Sequence, residues 1–266
     1  MFRLGWFATG RGTGSQGLLK SAYDAIQSAE LNAEIAFVFC NRGPGEAGPT
    51  DVFLKQVDEY DIPLVTFSYR DFKRKYGSKV NPNALPQWRL DYDREVMQRL
   101  DGFDVDLCVL AGYMLVTGPE LCRKYKMINL HPAAPDGPKG TWQQVIDHLI
   151  DTKAKSTGVM MHLVTPELDR GPVVSYCAFS IRGRGFDTHW KKLDDLPKDS
   201  AGYRKAREAL FNRIRQHGVK REHPLVIATI KAFAAGKVKV ADGKVVDARG
   251  KALKGYDLTR EIDAKL

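Results

Sequence analysis

A chain of 266 residues with 43% hydrophobic and 27% charged residues can bury a core of its own, which excludes wholesale disorder. The net charge of +9 suits either nucleic acid or anionic small molecules, but much of the excess lies between Arg182 and Arg221. Acids are interspersed there without an array of stacking aromatics, the pattern of a solvated helical face rather than of an RNA-binding surface.

Phe2 to Ala8 reads as a first strand, Thr9 to Gly14 as a glycine-rich loop, and Ser15 to Glu30 as an amphipathic helix. The first strand begins without the apolar core of a signal peptide, and no run approaches the roughly 18 apolar residues that span a bilayer. A cytoplasmic protein without a membrane partner is therefore expected. Glu34 to Cys40 is a second strand, 41–49 a loop, and Thr50 caps a helix reaching about Tyr60. Ile62 to Phe67 is a third strand, and 70–88 is irregular, polar and basic. A helix over 91–100, an apolar strand over 105–111, a short helix from Pro119 and a strand over 127–131 follow. The pattern continues with a helix over 141–151 and a strand pair over 158–164 and 173–181. Residues 182–200 read as a charged loop, 201–216 and 222–235 as two helices, and Asp242-Gly243 as a hairpin turn within 237–248. Cys40, Cys108, Cys122 and Cys177 form no Cys-x-x-Cys pair and read as reduced core thiols, with no metal site.

This alternation predicts an α/β, doubly wound, mostly parallel sheet with C-terminal helices and a short hairpin tail. Residues 1–236 are assigned to one domain and 237–266 to a tail extension of it. Ligands of such sheets bind beyond the carboxyl ends of the strands. Thr9–Gly14 and the segment from Asn129 both lie there.

Gly12-Thr13-Gly14-Ser15-Gln16-Gly17 follows a strand and opens a helix, the setting in which backbone amides receive an anion. A dinucleotide site also wants an acid after the second strand, where the chain reads Cys40-Asn41-Arg42. A phosphate-bearing substrate is therefore favoured over NADP, whose 2′-phosphate Arg42 would accept. In Asn129-Leu130-His131-Pro132, alternation puts Asn129 and His131 on one face of the strand. A neutral donor beside a proton carrier can hold a carbonyl oxygen as it becomes an oxyanion. Asp169, ahead of Gly171-Pro172, is an acid able to orient the imidazole and hold it charged.

Five segments together resemble the phosphoribosylglycinamide formyltransferases, from Phe2 to the tail. They are Thr9–Gly14, Val109–Met114, Asn129–Pro132, Glu167–Pro172 and Glu222-His223. The resemblance implies a Rossmann-like formyltransferase fold and formyl transfer from 10-formyltetrahydrofolate to glycinamide ribonucleotide, in purine biosynthesis. It implies Asn129, His131 and Asp169 as catalytic residues. It implies Gly12, Thr13, Gly14, Arg89 and Glu222 on the phosphorylated amine, with Arg89 adding charge near the phosphate. Tyr113, Met114, Leu115, Val116, Val164, Thr165 and Glu167 would hold the reduced folate. No nucleic acid is implied as a partner, and a homodimer is left open. Ala133 to Lys139 departs from the family's apolar, aromatic loop, Gly14 replaces its asparagine, and 69–88 and 182–210 are longer than usual. Rival readings are another acceptor amine, a formyltetrahydrofolate deformylase, or an NADP-dependent oxidoreductase built on the glycine loop.

Overall fold

The computed structural model describes residues 1–75 and 85–266. In chain order, β1 (Phe2–Ala8), α1 (Thr13–Gln27), β2 (Ala33–Cys40), α2 (Gly48–Glu59) and β3 (Leu64–Thr66) form the first half of a doubly wound sheet. After α3 (Tyr69–Arg74) come α4 (Gln87–Arg99), β4 (Leu107–Leu110), α5 (Pro119–Lys124) and β5 (Met127–His131). Then α6 (Trp142–Asp151), β6 (Ser156–Leu163), β7 (Val173–Ser180), α7 (Asp187–Asp194) and α8 (Ala201–Ala234) follow. The chain ends with β8 (Val238–Ala241), β9 (Lys244–Asp247), β10 (Tyr256–Asp257) and α9 (Thr259–Asp263).

The main sheet runs β10-β7-β6-β5-β4-β1-β2-β3. Strands β3, β2, β1, β4 and β5 are parallel, β6 is antiparallel to both β5 and β7, and β10 is parallel to β7. This is the expected mostly parallel, doubly wound architecture. Alternation sorts the strand residues onto two faces. Leu4, Trp6 and Ala8 join Val38 and Cys40 in a core with α1, α2 and the second half of α8. Phe7, Phe37 and Phe39 face Tyr92, Val96 and Leu121 of α4 and α5. A further core surrounds Trp190, joining α6, α7 and the first half of α8.

The strand order reverses at β1, which pairs with β2 on one side and β4 on the other. The loops after β1 and β4 therefore separate and leave a crevice at the carboxyl ends. Thr9 ties the two loops to each other there: its amide donates to the Gly112 carbonyl at 3.2 Å, and its Oγ1 accepts from the Met114 amide at 2.9 Å.

Four expectations need correction. Thr50 does not cap α2: the N-cap is Ala47, and Thr50 is buried in the first turn, donating to the Gly10 carbonyl at 3.2 Å. The stretch read as irregular contains α3 and the start of α4, while 76–84 lie outside the described residues. The charged stretch after Ile181 forms α7, because Trp190 and Leu193 bury one side of it. The two C-terminal helices are one, α8, continuing through Gly218 and Pro224. Breaker residues are overruled there by the buried face from Leu225 to Ala232. The hairpin turn is as expected, with Asp242 at φ 48° and Gly243 at φ 70°.

Candidate active site

The end of β5 carries Asn129 and His131, and β6 runs antiparallel beside it with His162 directly opposite Asn129. Asn129 Nδ2 lies 3.1 Å from His162 Nε2. His162 Nδ1 lies 3.0 Å from the Leu163 carbonyl, so Nδ1 carries the ring proton and Nε2 accepts from the Asn129 amide. One N–H of Asn129 remains for another acceptor.

Asp169 enters from the loop between β6 and β7. Its backbone is left-handed at φ 52°, a conformation Asp tolerates better than most residues. Its Oδ1 is 3.5 Å from His162 Nε2 and its Oδ2 is 4.0 Å from His131 Nδ1. The loop is pinned at its neck by the Leu163 amide, which donates to the Pro172 carbonyl at 2.9 Å. His162 and His131 beside it hold the Asp169 carboxyl below the usual aspartate range, so it is ionised.

His131 is 3% exposed, and its Nε2 donates to the Pro138 carbonyl at 3.0 Å. Burial pushes its pKa below 6.5 and outweighs the attraction of Asp169. This favours the neutral ring over the expected imidazolium in the free protein, with the proton of that neutral ring on Nε2 and its Nδ1 towards Asp169.

A small cleft opens onto this group. Asn129, His162 and Asp169 line it together with Tyr113, Leu115, Val116, Thr117, Val164 and Thr165. Five of the seven residues expected to hold folate therefore share one cleft with two of the three expected to be catalytic. Met114, 53% exposed, and Glu167, also exposed, stand outside the lining.

At the carboxyl end of β1, Gly12 is the N-cap of α1 without a side-chain cap. A Cβ at Gly12 or Gly14 would meet nothing within 4 Å, and Thr13 is exposed, so the first amides of α1 face open space. Gly17 instead lets two helices approach closely. A Cβ there would sit 2.9 Å from His223 Cε1, where α8 crosses α1. Glu222 borders a cavity with Pro132 and pairs with Arg215 on its own helix. It lies well inside α8 rather than at a helix start. Arg89 also departs from expectation. Its side chain is 3% exposed, with Nη1 bonded to Asp93 at 2.5 Å and Nε and Nη2 buried without a hydrogen-bond partner, so it is not displayed on the surface as a free cation.

His162 escaped the sequence reading. Its signal was available: it is the one polar residue in the run Val159–Leu163, seven positions before Asp169.

The family model described as Formyl transferase matches residues 9–184. The chain belongs to the formyl transferase family. A phosphoribosylglycinamide formyltransferase of Haemophilus influenzae is 24% identical over 259 residues, which are 96% of this chain and 99% of that protein. The trifunctional purine biosynthetic protein adenosine-3 of Drosophila melanogaster is 26% identical over 181 residues, or 67% of this chain. The match spans only 12% of that protein's length. The crystal structure of a Coxiella burnetii phosphoribosylglycinamide formyltransferase, in complex with CHES, shares the fold. Its TM-score is 0.65 at 23% identity, covering 96% of this chain and 98% of that one. The formyl transferase match includes β5, the Asp169 loop and all the residues that line the cleft, and it stops before α8 and Glu222.

Proposed function

We propose that this formyl transferase moves the formyl group of 10-formyltetrahydrofolate to the amine of glycinamide ribonucleotide, a step of purine biosynthesis. The observation that carries the reading is the meeting of Asn129, His131 and Asp169 at the end of β5, beside a cleft lined by Tyr113, Leu115, Val116, Val164 and Thr165. That half-apolar cleft suits the pterin end of a reduced folate. Met114 and Glu167 are assigned to the same partner. The open start of α1, at Gly12, Thr13 and Gly14, suits the acceptor's phosphate. Glu222 is assigned to its ribose. These are small-molecule partners of a cytoplasmic enzyme.

Within this reading, the free N–H of Asn129 donates to the formyl oxygen as negative charge gathers on it. Neutral His131 takes the proton of the attacking amine at Nδ1, and the resulting imidazolium faces ionised Asp169. The same proton then leaves with the departing folate nitrogen, so the residues return to their starting state. Burial keeps the ring basic only when the charge is partnered, which ties proton uptake to the presence of Asp169.

The test is release of tetrahydrofolate with and without glycinamide ribonucleotide. Release only with that acceptor supports the reading. Equal release without it indicates hydrolysis, and none with it indicates a different acceptor. Asn129→Ala is expected to lower turnover by about 100- to 1000-fold, the usual loss for one oxyanion donor, with the circular dichroism spectrum unchanged. Near-native turnover of that variant removes Asn129 from the mechanism.

A further inference from the structure

The ion pair Arg89–Asp93 is costly as a stabilising device. Both side chains are at least 97% buried, at 3% and 2% exposure, and desolvation of two charges commonly cancels their attraction. Its geometry shows a different use. Arg89 Nη1 holds Asp93 Oδ1 at 2.5 Å, one turn along α4. The other oxygen, Oδ2, accepts the Gly118 amide at 2.6 Å, reaching out of α4 to a distant segment.

Gly118 follows Thr117, the last of the residues Leu115–Thr117 that line the cleft, and is the N-cap of α5. No side chain of its own segment caps that helix. The junction is close: a Cβ on Gly118 would sit 2.9 Å from Asp93 Oδ2 and 3.0 Å from Leu90 Cδ2. The opposite end of the segment is held by Thr9 Oγ1 on the Met114 amide at 2.9 Å. The segment from Met114 to Gly118 is thus suspended between two side chain-to-amide bonds, and the Asp93 anchor is strongest while its carboxylate is ionised. A charged acceptor binds an amide more strongly than a neutral one.

We infer that Asp93, paired with Arg89, is a positioning residue that fixes the 114–118 wall of the cleft for the folate partner. The inference rests on the folate reading above. Asp93 touches no ligand in this assignment, and Arg89 serves the folate cleft from inside rather than the acceptor's phosphate.

The test uses the full chain and measures tetrahydrofolate binding by isothermal titration, alongside steady-state kinetics. Asp93→Asn removes the charge at constant size. Arg89→Met combined with Asp93→Leu removes both charges and leaves no unpaired one, a replacement that buried pairs often tolerate. Both variants are expected to weaken tetrahydrofolate binding and raise the folate KM by about 10-fold, the scale of one lost contact. The KM for glycinamide ribonucleotide and the melting temperature of the double variant are expected to stay near native. A folded double variant that binds tetrahydrofolate as tightly as the unaltered protein overturns the inference and leaves the folate reading standing. If the double variant does not fold, Asp93→Asn decides by the same criterion. Absence of tetrahydrofolate binding by the unaltered protein overturns both.

Discussion

Opposite Asn129 in the β5–β6 register, His162 has its Nδ1 proton committed to the Leu163 carbonyl. Its Nε2 is therefore an obligate acceptor for Asn129, and the Asn129 amide is held in one orientation. His162→Phe keeps an aromatic ring of similar bulk and removes the acceptor. Turnover is expected to fall by roughly 10- to 100-fold, since a small misplacement of a catalytic group costs that much. Steady-state kinetics on the variant checks this; unchanged turnover would mean that His162 only packs. His131 carries a second expectation. Its pKa is lowered by burial from 6.5, so the base form used in the proposed step is the larger fraction at and above that pH. The rate at subsaturating substrate should rise with pH through the lowered pKa and level off above it. A profile that instead declines through 6.5 would require the imidazolium as the working form.

At the scale of elements, the loop that brings Asp169 to the histidines depends on one glycine. A Cβ on Gly171 would fall 1.6 Å from the Leu163 carbonyl oxygen, a distance no side chain tolerates. Gly171→Ala must therefore break the Leu163–Pro172 pairing and move Asp169 with it. It is expected to lose activity to the extent of an Asp169→Ala variant and to cost more than the ~1 kcal/mol typical of point substitutions. Urea unfolding and turnover, measured together, check both parts. The Gly-Pro punctuation and the acid before it were legible in the sequence, as were the parallel strands, because period-2 and period-3.6 patterns report burial directly. The placement of Asn129 and His131 on one face of β5 was legible too, since strand parity fixes where they point. What escaped was set by distant contacts. Arg89 looked like a free cation because Asp93 is visible as its partner only once α4 is formed and buried. His162 was hidden by an apolar strand that reads as pure core. Gly218 and Pro224 looked like a helix break because packing of Leu225 to Ala232 on the sheet is a tertiary term absent from local propensity.

Taken whole, the molecule carries +9 at neutral pH and keeps three of its histidines below their ordinary pKa. Burial is the leading cause for His131, His217 and His223, and neighbouring arginines add to it for the latter two. Between 6.5 and the lowered folded values, the unfolded chain binds more protons than the folded one, so acidification favours unfolding. Stability supplied by these rings is complete above 6.5 and is lost as the pH falls below it. Each ring contributes a slope of at most ~1.4 kcal/mol per pH unit. Asp93, raised by burial, opposes the trend, but it is one group against three. Asp169, whose pKa is lowered, adds a separate loss only below 3.8. The urea midpoint is therefore expected to fall steadily from pH 7 to pH 5. His131→Phe should flatten that dependence by up to ~1.4 kcal/mol per unit while leaving the midpoint at pH 8 little changed. An unaltered slope in this variant would show that His131 titrates in the folded protein as it does in the unfolded chain, and the neutral-base step would then lose its physical basis.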